Sequence, residues 1–189
     1  MPQDVRIMDF DEPALRVPAT FVRDLGSDAV DLAAITARLS TALTRYQRSG
    51  ISAPVIGTPV RMIALDTTGM CQVRRLSGVE AGVVVHYDPE ITPLAAETVE
   101  DYETCVSIPR VTGLVARSAR IRYRATTSSG EPVDWELFGR AARVVAHQVD
   151  HLDGVLLLDR ADPSSVAASP RLPHDCSGGG DRTAAGSVP

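Results

Sequence analysis

The sequence predicts an α+β domain in which mostly antiparallel strands pack against two helices. Three observations support this fold class. The chain has 189 residues, which is about the length of one domain. Two stretches repeat their apolar residues at helical spacing. Several short stretches rich in β-branched residues are separated by turn residues, as is typical of antiparallel sheets.

The two ends of the chain differ in composition from the middle. Residues 1–26 hold short apolar pieces interrupted by Pro13 and Pro18, which predicts an extended arm over the surface. Beyond Arg160 the chain becomes rich in Pro, Ser, Gly and Ala, which predicts disorder over residues 163–189. We therefore predict a single domain that spans residues 1–162.

The first helix is predicted between the arm and Gly50. Ser27 or Asp28 can cap its start, since both side chains accept hydrogen bonds from backbone N–H groups. Arg45 and Arg48 are expected in its last turn, where cations are favoured, and Gly50 is expected to end it. The apolar face is predicted to consist of Leu32, Ile35, Leu39, Leu43 and Tyr46.

The strands and the second helix follow in order along the chain. A turn is expected at Ser129 and Gly130. The second helix is predicted from about Leu137 to Leu152, with Gly154 ending it. The residues between Glu97 and Glu103 are expected to form a polar loop. Strands are predicted at residues 60–66, 82–86, 111–115, 119–126 and around 132–135.

Composition argues against several classes of function. The net charge is −5 and the chain has no basic stripe, which predicts no nucleic-acid partner. No stretch is apolar enough to span a membrane or serve as a signal peptide, so we predict a cytoplasmic protein with no membrane partner. The three cysteines are expected to be free thiols. No role is assigned to Cys71, Cys176, His86 or His174, which are placed in turns or the tail.

The most informative segment is His-Gln-Val-Asp-His at residues 147–151. Two histidines four residues apart on a helix share one face, at the spacing that binds one metal ion. A third ligand has to come from elsewhere, and Cys105 is the best candidate because an acidic stretch meets an apolar one there. The alternative is a pair of solvated imidazoles and an inert thiol. Gln148 stands where the commoner motif has a Glu that acts as general base.

Three motifs together resemble those of the peptide deformylase family. The family pattern G-x-G-x-A-A-x-Q corresponds to residues 48–55, Arg-Ser-Gly-Ile-Ser-Ala-Pro-Val. The pattern E-G-C-L-S corresponds to residues 103–107, Glu-Thr-Cys-Val-Ser. The pattern H-E-x-D-H-L-x-G corresponds to residues 147–154, His-Gln-Val-Asp-His-Leu-Asp-Gly. The resemblance extends over roughly residues 5 to 160.

This resemblance implies a fold, a metal site and a substrate class. The fold would be the peptide deformylase-like α+β fold, with strands packed around a central metal-binding helix. One divalent ion, Fe²⁺ or Zn²⁺ with Ni²⁺ or Co²⁺ as substitutes, would be held by Cys105, His147 and His151. The partner would be a formylated peptide or a small-molecule amide. Nothing in the sequence predicts an oligomeric state.

The catalytic positions implied by the resemblance differ from the family pattern. The family's Glu, which moves the proton during hydrolysis, is Gln148, an amide that takes up no proton near neutral pH. Loss of a general acid–base group costs about 10²–10⁴ in rate. The Gln that hydrogen-bonds the developing oxyanion is Val55, and losing one such donor costs about 10²–10³. The backbone N–H of Val106 is the remaining oxyanion donor.

The resemblance also assigns four residues to substrate binding: Gly50, Ile51, Val144 and Arg140. The family usually has an apolar residue at the position of Arg140, in the methionine pocket. A cation there would bind a carboxylate or a phosphate better than a thioether. The alternative is that the Arg140 side chain points into solvent. Asp150 is a candidate for bracing a ligand histidine or for capping the helix end. Glu103 is expected to pair with Arg143 or face water.

Three functional interpretations follow from these substitutions. The first is a deformylase-like hydrolase that is slow on ordinary N-formyl-methionyl peptides. The second is a metalloenzyme of a biosynthetic pathway that uses its ion as a Lewis acid. The third is a catalytically silent protein that binds N-formyl groups or peptides. An engineered Gln148 is a further explanation, but a laboratory substitution of that residue alone would not account for Val55, Arg140 or Ala146, which stands where the family usually has a Gln.

Overall fold

The computed structural model describes residues 5–26, 30–68, 70, 73–75 and 82–169. The helices are α1 (Leu32–Arg45), α2 (Gly139–Leu152) and the short α3 (Leu157–Arg160). The strands are β1 (Gly50–Ser52), β2 (Met62–Asp66), β3 (Val73–Arg75), β4 (Val83–Pro93), β5 (Thr98–Cys105), β6 (Ile108–Ser118), β7 (Arg120–Thr127), β8 (Pro132–Phe138) and β9 (Ala167–Ala168).

The strands form two sheets, and every strand pair within the described residues is antiparallel. One sheet has the order β1-β2-β4-β7-β8-β3, and the other has the order β5-β6-β9. Helix α2 packs against strands of both sheets. The predicted α+β class with a central helix is therefore confirmed.

Helix α1 begins and ends differently from the prediction. Asp31 caps it by accepting a hydrogen bond from the N–H of Ala34 at 2.9 Å, whereas Ser27 and Asp28 lie outside the described residues. The helix ends at Arg45 because Gln47 adopts a left-handed conformation with φ of +49°. The N–H of Arg48 then reaches back to the carbonyl of Leu43, which closes the helix end. Neither Arg48 nor Gly50 therefore belongs to the helix.

Several predicted strands are longer in the structure, and strands β1, β3, β5 and β9 were not predicted. The strand predicted at residues 82–86 extends to Pro93 as β4, with a bulge between Tyr87 and Glu90. The expected polar loop before Cys105 is strand β5, which is paired along its length with β6. All of its residues from Thr98 to Tyr102 are exposed, so the sequence shows no alternation of apolar and polar residues. Helix α2 begins at Gly139, two residues after the predicted start.

The two chain ends also depart from the prediction. The N-terminal arm is anchored in the core rather than laid over the surface, because Val5, Leu15 and Ala19 are buried. Residues 163–169 belong to the predicted tail, yet they form a 3₁₀ turn and strand β9, which pairs with β6. Residues 170–189 and the cysteines at positions 71 and 176 lie outside the described residues, as does His174. None of the helices in the described ranges is long and apolar enough to span a bilayer.

His86 is a core residue of β4 rather than a turn residue. Its Nδ1 lies 2.8 Å from the hydroxyl of Tyr123, and its ring contacts Trp135 edge-on at 5.0 Å between centroids. Burial lowers the pKa of His86 to about 4. The folded protein therefore holds this imidazole neutral, whereas the unfolded chain protonates it near pH 6.5.

We expect this burial to make the protein acid-sensitive between about pH 6.5 and 4. A folded-state pKa below the unfolded value leaves stability unaffected above that window and reduces it as the pH falls. The free energy of unfolding should fall by about 2 kcal/mol more between pH 7 and 5 in the wild type than in His86→Asn. Urea denaturation at both pH values measures this difference, and parallel losses in the two proteins would contradict it.

Candidate metal centre

Three side chains with metal-binding atoms converge between the two sheets. Cys105 ends β5, and His147 and His151 lie on successive turns of α2. Their ligand atoms all lie within 4.8 Å of one another. The Sγ atom of Cys105 is 3.2 Å from Nε2 of His151, and the two imidazole rings are 5.0 Å apart. The structure thus brings together the three residues that the sequence predicted as ligands.

Local structure explains how Cys105 reaches the helix. A two-residue turn, Val106 and Ser107, joins β5 to β6, and the register between these strands shifts just before Cys105. The shift and the turn place the thiol at the end of the strand, where it is almost fully buried. The two histidines do not depend on a register shift or a turn, because their four-residue spacing puts both on one face of α2.

Glu103 orients the first histidine. Its carboxylate oxygen Oε2 lies 2.9 Å from Nδ1 of His147. A carboxylate only accepts hydrogen bonds, so Nδ1 carries the proton and Nε2 remains available as the ligand atom. The second histidine has no such support, because Nδ1 of His151 is buried with no hydrogen-bond partner among the described residues.

A buried ion-pair framework holds Glu103 in place. Arg117 donates from Nε and Nη2 to the two oxygens of Glu103, at 2.6 and 2.8 Å, and Arg143 donates to Oε1 at 2.7 Å. Arg117 also donates from Nη1 to Asp150 at 2.8 Å, and Arg160 donates to the other oxygen of Asp150 at 2.9 Å. Asp150 therefore braces the arginine behind Glu103 rather than a ligand histidine.

The framework sets the charge states around the site. Burial opposes the charge on Glu103, but hydrogen bonds from Arg117 and His147 hold its pKa well below its usual range. Burial also opposes ionisation of Cys105, yet the neighbouring His151 and His147 hold the pKa of the thiol well below its ordinary value. Hydrogen bonds to Cys105 and Glu103 raise the pKa of His147 to about 9 against the effect of burial. Without a metal ion the site therefore favours a thiolate beside a protonated imidazole.

The donor set fits a single divalent ion. A thiolate and two imidazoles are ligands that suit Zn²⁺ and Fe²⁺, and three protein ligands leave a position open. The thiolate that the two histidines already stabilise is the form that binds metal. Cys105, His147 and His151 are the group among the described residues whose ligand atoms are close enough to hold an ion.

A pocket of about 320 Å³ opens beside the three ligands. Most of the residues predicted for catalysis or substrate binding line it, and Ile51 is the exception because its side chain is buried in the core beneath α1. Arg140 is exposed at the pocket wall. The predicted residues that line the pocket are Gly50, Val55, Val106, Arg140, Val144 and Gln148.

Gly50 and Gln148 pack against each other at the pocket wall. A side-chain carbon at Gly50 would lie 3.0 Å from Cγ of Gln148 and 3.1 Å from Cγ1 of Val144. The absence of that carbon makes room for the Gln148 side chain, which is only 7% exposed. A Glu has nearly the same shape, so this space would accept either residue.

Sequence reasoning missed one charged residue at the site, Arg117, and placed another, Arg48, in the wrong element. Arg117 lies in β6 and contacts Glu103 and Asp150 through strand pairing and helix packing that no motif records. Arg48 lines the pocket, although it was expected in the last turn of α1. Its charge at the start of a family motif that normally has Gly was the available signal. The expected pair of Glu103 and Arg143 is present in the structure.

The fold and the site define a metal-binding protein whose ligands come from a central helix and a neighbouring strand. A family model described as polypeptide deformylase matches residues 5–167, and the chain belongs to this family of metal-dependent hydrolases. Peptide deformylase 1 of Nitrosomonas europaea is 31% identical over 150 residues, which are 79% of this chain and 83% of that protein.

Solved structures of the family show the same fold. The crystal structure of peptide deformylase from Thermotoga maritima is similar, with a TM-score of 0.70 and 33% identity over 84% of this chain and 98% of that one. A class I type b peptide deformylase from Acinetobacter baumannii, solved with Met-Ala-Ser bound, has a TM-score of 0.69. It is 26% identical, and the match covers 85% of this chain and 99% of that one.

Proposed function

We propose that the protein is a metal-dependent hydrolase of formyl amides that acts poorly on ordinary N-formyl-methionyl peptides. The observation that carries this proposal is the composition of the pocket wall. Three metal-binding side chains stand beside Gln148 and Val55, the positions at which the family pattern has the proton-transfer Glu and the oxyanion-binding Gln. The binding site for an ion is thus retained while two groups that assist the reaction are replaced.

The ion would be held by Cys105, His147 and His151, and it would supply a Lewis acid that polarises the formyl oxygen and acidifies water. The backbone N–H of Val106, at the pocket wall, is the donor left for the developing oxyanion. Glu103 accepts a hydrogen bond from Nδ1 of His147, which leaves Nε2 as the atom that would bind the ion. These contributions position and polarise the substrate without moving a proton.

Proton transfer is the step that the pocket supports least. Gln148 can donate or accept a hydrogen bond, but its amide does not take up the proton of attacking water. Glu103 cannot substitute, because Arg117, Arg143 and His147 already hold it as a carboxylate. Val55 offers no hydrogen bond to a developing charge. If the two losses multiplied, the rate would fall by roughly 10⁴–10⁷, and by less if the groups act as a unit.

A single-turnover assay tests this proposal. The zinc-loaded protein, in excess over N-formyl-Met-Ala-Ser, should release formate slowly but measurably above the buffer rate. His151→Ala should reduce the release to that of buffer, because it removes a proposed ligand. The matched control is His174→Ala, an equivalent substitution outside the described residues, which should leave the release unchanged.

The other two interpretations give different results in the same assay. Binding of the formylated peptide without any formate release would contradict the proposal and favour a silent binding protein. The absence of both binding and release would point to a different substrate, as expected for a Lewis-acid enzyme of a biosynthetic pathway. Gln148 and Val55 are compatible with a silent binding protein and with a Lewis-acid enzyme, so the assay is needed to distinguish the two.

A further inference from the structure

Arg48 is half-buried at the pocket wall, and two of its guanidinium nitrogens have no hydrogen-bond partner within the described residues. Atoms Nε and Nη2 of Arg48 are buried and form no hydrogen bond there. Two other arginines of the site have a carboxylate partner, because Arg117 and Arg143 both bind Glu103. Burying a guanidinium without a partner costs free energy, so an unpaired one at a pocket is a candidate ligand-binding group.

The backbone conformation just after α1 places Arg48 at the pocket. The left-handed residue Gln47 reverses the chain after α1, and the N–H of Arg48 is fixed by its bond to the Leu43 carbonyl at 3.1 Å. Two residues later the chain enters β1, whose first residue, Gly50, packs against Gln148. Arg48 is thus anchored at its backbone beside the ligands. Burial lowers the pKa of its guanidinium, and the nearby charge of the Cys105 thiolate opposes this lowering only in part.

The charge balance of the pocket favours an anion. Glu103 is already neutralised by the arginines behind it. A divalent ion on the three ligands would add two positive charges beside Arg48, and the thiolate of Cys105 would offset only one of them. Arg140 and Asp101 are exposed at the same wall with opposite charges, so the excess positive charge would come from Arg48 and the ion. A guanidinium binds a carboxylate or a phosphate through paired hydrogen bonds, whereas a thioether offers it nothing comparable.

We propose that Arg48 forms an anion-binding subsite in the pocket, and that the formyl compound taken by this protein carries a carboxylate or phosphate close to its amide. The second part of this proposal rests on the proposed function, whereas the first part does not. The pocket volume of about 320 Å³ is at the lower end of the range for small-molecule sites, which suits a compact ligand.

A matched pair of ligands tests the subsite through binding rather than activity. N-formyl-methionine and N-formyl-methioninamide differ only in that the first carries a negative carboxylate. Calorimetric titration of the zinc-loaded protein should show about 10- to 100-fold tighter binding of the carboxylate, the range expected for a charge-assisted contact. In Arg48→Gln the preference should fall below about twofold, and Arg48→Lys should retain part of it. Arg45→Gln, an exposed arginine outside the pocket, should leave it unchanged.

Inorganic phosphate separates failure of the subsite from failure of the proposed function. Phosphate titrated into zinc-loaded and metal-free protein should bind in a manner that depends on Arg48 in both forms. If phosphate binds in this way while neither formyl compound does, the subsite stands and the formyl substrate is wrong. Equal binding of the two formyl compounds, a preference unchanged in Arg48→Gln, or no binding of any probe would overturn the subsite. Thermal denaturation should show Arg48→Gln to be at least as stable as the wild type.

Discussion

The double variant Val55→Gln, Gln148→Glu is expected to hydrolyse N-formyl-Met-Ala-Ser at least about 10³-fold faster than the wild type. It restores a group that accepts the proton of water and a side-chain donor for the oxyanion, which are separately worth about 10²–10⁴ and 10²–10³. The space for Glu exists, because Gly50 leaves room for a side chain of that shape. Formate release under saturating zinc measures the gain.

The single variants should give much less than the double variant. Gln148→Glu alone should raise the rate only modestly, since Val55 still leaves the developing charge with one fewer donor and groups of this kind act together. Val55→Gln alone should be similarly limited. Val55 is buried, so each variant needs a thermal denaturation curve to show that the amide is tolerated.

Controls and a contrary outcome define the test. Gln47→Glu adds the same charge at an exposed position, and Val166→Gln adds the same amide at an exposed valine, so neither should accelerate hydrolysis. An unchanged rate in a folded double variant would mean that the pocket no longer accepts the peptide. Arg48 and Thr104, which stand where the family has small residues, would then be the next positions to restore.

The second large effect is expected on metal content. Cys105→Ser should reduce bound zinc from about one ion per chain to less than a tenth of that after dialysis. A serine hydroxyl stays protonated near neutral pH, so only two imidazoles would remain to bind the ion, whereas the wild-type thiolate is already favoured by the histidines. Inductively coupled plasma mass spectrometry on the dialysed proteins measures this loss.

The same substitution at Cys176 provides the control. It lies outside the described residues, and Cys176→Ser should retain wild-type metal content. Full occupancy in Cys105→Ser would remove Cys105 from the ligand set and leave the two histidines without their third partner. Circular dichroism of both variants distinguishes a loss of metal from a loss of fold.

The sequence predicted the parts of the site that depend on local spacing. His147 and His151 share a face because helical geometry fixes residues four apart, and the family motif linked Cys105 to them. Helix α2 and strand β2 were predicted for the same reason, because the apolar residues of each lie within a single continuous segment of the chain. These features need no knowledge of the rest of the chain.

Features that depend on pairing between distant segments were not predicted. Strand β5 is exposed over most of its length, so its pairing with β6 leaves no trace in its own pattern. Arg117 joins Glu103 and Asp150 only because β6 runs beside both β5 and α2. The end of α1 depends on a left-handed Gln47, a conformation for which Gly50 was the expected residue.

The ion-pair framework behind the ligands contains neither Val55 nor Gln148. It consists of Glu103, Asp150, Arg117, Arg143 and Arg160, and it orients His147 through Glu103. Substitutions at Val55 and Gln148 can therefore accumulate without disturbing the geometry that the framework maintains. The reactivity of the site can thus change while the fold is maintained, so an altered chemistry need not be accompanied by a destabilised protein.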